Sequence, residues 1–452
     1  MSHSFITCIA LLVMSSKLPI GVATIERPEI ILFIISVFIF IISCAPVNLS
    51  SQDTKKDQKN IIYNQNNITK TKKDEPPKED LDKKNNYYNG FIDNKIIVLL
   101  AEDDDPLTTR QFLNMFELGI YSLEVKNINL QIDIFADVND LEKIVENNLS
   151  SGKVFIGPIQ SKYTKYLNKY CENNLLFFSF ASKSSLAKDC IYLLNFFPKN
   201  ELSQLLESLN EDAKVALLFP ENEYGYLINS YIDELMFDSR AVLVNRSSYK
   251  SDLSNVRDSI KELGKYELRK YELNRQKKIL SSKRDEKSKN RLKKLERFKT
   301  TSDYDFTHIL VADYGLNLLQ VAPLLPYYDI DPNIVQFMGT GVVDDKTFFY
   351  EPSLQGAIFP GVPLSKRINL INKYKEVYNE DILRISTLPY DLIGLFNFIY
   401  TNKYKFNEVI NLLNNKNKKF DGIDGNFYFK NNTIERDLDI LKINNGNSFV
   451  IN

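Results

Sequence analysis

The sequence predicts an α/β protein of two doubly wound, Rossmann-like lobes with a basic helical insertion. Three observations predict it. Continuous aliphatic runs alternate with helix-patterned segments, which implies a parallel sheet covered on both faces. The alternation runs through the chain twice, as two series in tandem. And 452 residues are enough for two well-cored lobes plus appendages.

The chain opens on a different kind of segment. The apolar run from Ile30 to Ser43 is about 14 residues, shorter than the roughly 20 a helix needs to cross a bilayer, and it suits the core of an export signal. Its end, Ile41-Ile42-Ser43-Cys44, resembles the bacterial lipobox, and that resemblance implies cleavage before Cys44 and acylation of its thiol and amine. An uncleaved anchor helix is the alternative. Ala45 follows, not the aspartate that retains many enterobacterial lipoproteins in the inner membrane, so sorting to the outer membrane is allowed. From Asn48 to about Asn94 the chain is charged and poor in apolar residues, the composition of a tether that cannot bury enough surface to fold.

In the first series, "KIIVLLA", "LQIDIFADV", "GKVFIGPI", "LLFFSFAS" and "CIYLLNFF" read as strands. Between and after them, "RQFLNMFELGIYSL", "NDLEKIVENNL", "SKYTKYLNKYC" and "KNELSQLLESLN" have helical spacing. The second series sets "AKVALLFP", "AVLVNRSSY", "THILVADY" and "NIVQFMGTG" as strands against the helices "YLINSYIDELMF" and "GLNLLQVAPLL". Ligands of such sheets bind beyond the carboxyl ends of the strands. The segment from Lys265 to Lys299 interrupts the second series with 15 Lys/Arg against 5 Asp/Glu. It reads as a solvated helical hairpin packed by the stripe Leu292, Leu295 and Phe298, or as a basic arm for a membrane surface, wall polymer or acidic partner.

Composition narrows the function. A formal net charge of -1 argues against a dedicated nucleic-acid binder, and with only two histidines, His3 in the leader and His308 in a strand, histidine catalysis is not expected. No nucleophile–base pair, metal-ligand cluster or phosphate-binding glycine loop stands out, so neither an enzyme, a cofactor nor a metal is expected. Glu102 to Asp105 look like the acidic cluster of a response-regulator receiver. The strand that should carry the phosphoacceptor, "KVFIGPIQ", has no carboxylate, and the acids read as a helix cap or a cation site. Outside the leader and Cys44, one cysteine pair is left, Cys171 and Cys190. In an oxidising compartment it could close a loop of about 20 residues, worth about 3 kcal/mol; otherwise it is two buried thiols.

A family resemblance covers nearly all of the folded body. "VFIGPIQSKYTKYLNKYCENNLLFFSFASKSSL" is similar to the stretch of leucine-binding-type periplasmic proteins in which a Gly-Pro turn and serine loops line the ligand cleft. "VALLFPENEYGYLI" resembles their second-lobe entry. "THILVADYG", "VQFMGTGV", "LQGAIFPGVP", "LPYDLIGLF" and "FDGIDGNFYFKNNTIERDLDILKINNGN" follow in the family's order. The resemblance implies a periplasmic binding protein type 1 fold, two lobes closing on a hinge. It implies a first lobe over 95–212 completed by about 360–418, and a second over 213–359 completed by about 419–452, with the insertion at about 265–300. Carried over motif by motif, it offers Ser161, Ser182 and Ser184 as ligand hydroxyls, Tyr224 as an aromatic wall, and Asp313 beside Tyr314 as the ammonium partner of an amino acid. This chain departs from the pattern in Gln160, in Lys183 and in the acidic loop "AEDDDPLT". The insertion and "APLLPYYDIDPNIVQFMGTGVVDD" resemble lipoproteins of the penicillin-binding protein activator branch, whose members contact wall-building enzymes. The partner implied is a cell-wall synthase, or else the permease of an amino-acid ABC transporter.

Overall fold

A computed structural model describes residues 88–451 of the chain. The signal segment 1–43, Cys44 and most of the expected tether lie outside the described residues. The tether expectation ran to residue 94, but residues 88–94 belong to the folded body. Ile92 is buried, Asp93 N–H donates to Gly152 O at 2.9 Å, and Lys153, itself buried, pairs with Asp93. None of the helices among the described residues is long and apolar enough to cross a membrane.

In chain order the first series comprises β1 (Lys95–Ala101), α1 (Pro106–Ser122), β2 (Asn129–Phe135), α2 (Val138–Glu146), β3 (Val154–Ile156), β4 (Leu176–Ser179) and β5 (Ile191–Leu193). Then come α3 (Pro198–Glu207), β6 (Lys214–Pro220), α4 (Glu223–Leu235), β7 (Val242–Tyr249), α5 (Val256–Leu263), α6 (Tyr266–Ser281), α7 (Glu286–Leu295), β8 (His308–Val311), α8 (Gly315–Val321), β9 (Gln336–Met338) and β10 (Ile358–Gly361). The last part holds α9 (Leu364–Tyr378), α10 (Leu388–Thr401), α11 (Phe406–Leu413), β11 (Phe427–Lys430), β12 (Thr433–Arg436), β13 (Asp439–Asn444) and β14 (Asn447–Val450).

Two seven-stranded sheets result, ordered β11-β12-β5-β4-β3-β1-β2 and β14-β13-β10-β9-β8-β6-β7. In each, the five strands of the alternating series are parallel. An antiparallel hairpin finishes each sheet, β11-β12 in one and β13-β14 in the other. Polar caps start the helices where the strands end: Asp105 accepts from Thr108 N–H at 2.9 Å, Asp137 from Asp140 N–H at 3.0 Å, and Asn222 from Gly225 N–H at 2.8 Å. His308 opens β8, where burial pushes its pKa down.

The lobe boundaries differ from expectation at two places. The expectation places residues up to 212 in the first lobe, yet α3 lays Leu202, Leu205 and Leu206 on Val215 and Leu217 of β6 and belongs to the second core. The chain therefore crosses just after β5, because that leucine face has its apolar partner in the second sheet. The expectation places residues from about 419 in the second lobe, yet β11 and β12 complete the first sheet, and Phe427, Phe429 and Ile434 join the first core. Three crossings link the lobes: β5 to α3, β10 to α9, and Arg436 to Asp439. The insertion is the hairpin α6–α7, whose helices pack on each other. Its expected stripe is only half formed, since Leu292 and Leu295 are half-buried while Phe298 is 55% exposed.

Candidate functional site

In the first lobe three loops gather at the carboxyl ends of β1, β3 and β4. The loop after β3 turns at Gly157 with φ +103, where a Cβ would stand 2.2 Å from Leu99 O, so the chain can pass this close to β1 only as glycine. Ser161, at the start of a one-turn helix, is brought to Ser182, with Oγ atoms 3.4 Å apart. Its Oγ already accepts from two backbone N–H groups, those of Ser182 at 3.1 Å and Lys183 at 3.3 Å. Beneath them is a buried hydroxyl chain that sequence reasoning missed. Thr164 Oγ1 lies 2.7 Å from Ser179 Oγ, which donates to Pro158 O at 2.9 Å and accepts from Ala181 N–H. The one polar residue inside "LLFFSF" was the available signal.

The acidic loop is likewise engaged from within. Asp104 accepts from Ala101 N–H and from Gln160 Nε2, both at 2.8 Å, and burial pushes its pKa up. Asp103 takes Lys162 Nζ, Tyr163 OH and Gln160 Nε2, and the Lys162 ammonium holds it below the usual carboxylate range. Asp105 caps α1. Gln160, the departure from the family pattern, thus ties the first and third strand ends together. Among the described residues no group of three metal-ligating side chains converges.

In the second lobe the first turn of α4 is pressed onto the end of β6, so closely that a Cβ on Gly225 would meet Pro220 O at 1.9 Å. Tyr224 is fixed there by a hydroxyl contact with Thr340 Oγ1 at 2.7 Å, and its ring stands edge-on to Tyr314 at 5.1 Å. Asp313 does not present a bare carboxylate. It is fully buried, accepts from Tyr249 OH at 2.5 Å and Tyr314 N–H at 2.8 Å, and burial pushes its pKa up. Tyr314 is half exposed beside it. Ser184 stands apart from Ser161: it lines a separate groove of about 390 Å³ with Phe197, Lys199, Tyr231 and Thr433. Cys171 and Cys190 are joined as a disulfide, S–S 2.08 Å, at the start of β5.

What spans the lobes is a set of charges that sequence reasoning did not single out. Arg384, just before α10 of the first lobe, donates to Gly341 O at 2.7 Å and to Glu201 Oε1 at 3.2 Å. Glu201, on α3, also accepts from Gly341 N–H at 3.0 Å, and the Arg384 guanidinium lies 3.9 Å from the Phe196 ring centre. Burial works against the charge on Arg384, but Glu201, Asp344 and Asp424 outweigh it and raise its pKa. Nearby, Arg367 pairs with Asp344 at 2.8 Å and Asp424 at 3.5 Å, and Arg436 pairs with Asp391 at 2.8 Å. The signal was an acid, Glu201, on the same helix face as Leu205, where an unpaired carboxylate would be costly.

No protein-family model matches the sequence, and no curated protein matches it. Solved structures do. A protein assigned to branched-chain amino acid ABC transport in Rhodospirillum rubrum aligns with a TM-score of 0.59 and 12% identity, over 79% of this chain and 99% of that one. The C-domain of LpoA from Haemophilus influenzae, a regulator of PBP1A, aligns at 0.54 and 12% over 79% and 100%. An ABC transporter substrate-binding protein from Desulfitobacterium hafniense in complex with Leu aligns at 0.51 and 12% over 79% and 100%. Against full-length LpoA this chain spans 60% of the longer protein. With its two crossing-linked sheets and these likenesses, the chain has the two-lobed fold of the type 1 periplasmic binding proteins.

Proposed function

We propose that this chain is a lipid-anchored periplasmic protein of the penicillin-binding protein activator kind, acting in peptidoglycan synthesis through protein contacts. One observation carries the reading: polar groups at the key amino-acid-binding positions are already engaged within the protein. Ser161 Oγ holds two backbone N–H groups, Asp313 holds Tyr249 and Tyr314, and Tyr224 holds Thr340. Asp313, the residue that would hold the ammonium, could take an incoming amino acid only by giving up one of these partners, which returns little over the bond lost. The likeness to the LpoA C-domain gives the reading a structural relative. The second reading is a solute-binding lipoprotein of an amino-acid ABC transporter. It is favoured by the Ser161–Ser182 contact at the strand ends and by the Tyr224–Tyr314 pair.

Calorimetry of the mature chain against the common amino acids, beside pull-down with bifunctional wall synthases of the same organism, separates the two. The expected outcome is no heat at millimolar amino acid and retention of a synthase. Micromolar binding of an amino acid, abolished by Ser161→Ala and accompanied by no synthase contact, would establish the transporter reading instead.

A further inference from the structure

The outer edge of the first sheet carries information that neither lobe's cleft uses. β2 is the terminal strand, paired with β1 on one side, and among the described residues no strand pairs with its other edge. Its register with β1 is unbroken from Asn129 to Phe135. Natural edge strands are usually blunted by charge, lysine above all, or by proline, a bulge or shortness, and of these "NLQIDIF" has only the carboxylate of Asp133.

Backbone polarity follows from two hydrogen bonds. Asn129 N–H donates to Asn94 O, and Phe135 O accepts from Glu102 N–H, so the odd-numbered residues face β1. With the two-residue period of a strand, Leu130, Ile132 and Ile134 turn both N–H and C=O outward. The side chains of the same three residues share the sheet face beside α1. There Ile132 and Ile134 are 49% and 62% exposed, and Leu113, Phe116, Ile120, Tyr121, Leu130 and Ile132 line, with Asn114 and Glu117, a largely apolar groove of about 530 Å³.

This edge is complementary to itself. An antiparallel copy centred on Ile132 sets Leu130 opposite Ile134, Ile132 opposite its own copy, and Gln131 opposite Asp133. The apolar pairs then fall at the hydrogen-bonded positions, where the free N–H and C=O groups are, giving about six ladder bonds. The Gln131–Asp133 pairs fall at the non-hydrogen-bonded positions, where facing side chains come closest. Gln131 Nε2 already reaches Asp133 within one strand, at 2.8 and 2.7 Å, so exchange to the facing Asp133 conserves the contact. A register centred on Asp133 sets carboxylate against carboxylate. We propose that two copies of this chain pair antiparallel through β2, on a two-fold axis at Ile132, joining their first sheets edge to edge.

Sedimentation equilibrium of the mature chain from residue 44, carrying Cys44→Ala, tests this. A concentration-dependent dimer is expected, weakened by about tenfold or more by Ile132→Lys or Gln131→Asp and not weakened by Gln131→Lys. Facing Cα atoms at about 5.5 Å are within disulfide range, so Ile132→Cys should give a reducible covalent dimer on mild oxidation. Tyr226→Cys, 55% exposed on the second lobe, should not. Circular dichroism of each variant checks its folding. A monomer at about 100 μM with no Ile132→Cys cross-link overturns the proposal, including the case in which another protein's strand occupies the edge. A dimer indifferent to Ile132→Lys overturns it equally.

Discussion

Glu380 is held from two helices. Arg110 Nη2 of α1 reaches it at 2.6 Å and Tyr374 OH of α9 at 2.7 Å, while Asn114 Nδ2 adds a longer contact at 3.4 Å. Arg110 and Tyr374 hold its carboxyl below the usual glutamate range. A carboxylate with a lowered folded-state pKa stabilises the fold above its unfolded pKa, and that contribution is lost as pH falls through the folded value. The group is close to solvent, so screening keeps the contribution at about 1 kcal/mol or less. Urea unfolding at pH 7 should show Glu380→Gln less stable by that amount, and the gap to wild type should close below pH 4. A gap unchanged at low pH would mean that packing, not charge, joins these helices. At this scale sequence reading placed side chains at strand ends but could not give their partners. Ser161 and Ser182 were legible because a strand–turn–helix pattern puts them there. That Asp313 is answered by Tyr249, from a different strand end, depends on sheet order, which no local pattern encodes.

The α6–α7 hairpin is fastened to the second lobe by an arginine. Arg269 is almost fully buried with no carboxylate accepting its hydrogen bonds. Its guanidinium donates to Gly264 O at 2.7 Å, Thr300 Oγ1 at 2.9 Å, Thr301 O at 2.8 Å, Asp329 O at 3.1 Å and Tyr328 O at 3.2 Å, and lies 4.5 Å from the Tyr304 ring centre. Burial pushes its pKa down, yet an arginine remains charged far above neutral pH. Arg269→Ala leaves those acceptors without their donor and should cost about 3 kcal/mol. Hydrogen exchange should then show α6 and α7 losing protection while β6 and β8 keep theirs. Uniform loss across the lobe would instead make Arg269 part of its core. The hairpin itself was legible from composition and helical spacing. Its attachment was not, because a basic run offers no sign of which cation turns inward; the leucine spacing pointed to α7, whereas the residues that are buried are Arg269 and Leu273 of α6 and Ser288 of α7. The lobe boundaries failed for a similar reason. The leucine face of α3 announces an apolar partner, but not which of two sheets supplies it.

Across the whole molecule, the order of the strands gave the two-lobed architecture, and the Arg384–Glu201–Gly341 bridge sets how the lobes meet. Arg384→Ala removes the bridging cation and leaves Glu201 with Gly341 N–H alone. Breaking a buried pair from one side is strongly destabilising, by about 3 kcal/mol or more. The expected readout is a larger radius of gyration in small-angle scattering and a wider spread of distances between spin labels on the two lobes. Unchanged distances would show that the three crossings and the Arg367–Asp344 pair hold the arrangement without Arg384. The chain also enters the body at a telling place. Residues 90–93 are bonded to Phe406 N–H and Gly152 O and bridged from Phe91 to Lys405, beside the amino end of β1 and away from the strand ends that carry Ser161. Tension arriving along the chain before Tyr88 is therefore delivered into the first lobe. The second lobe is left as a cantilever, loaded through the three crossings and the charge bridges, so a pull on it turns the pair of lobes like a lever whose fulcrum is Arg384.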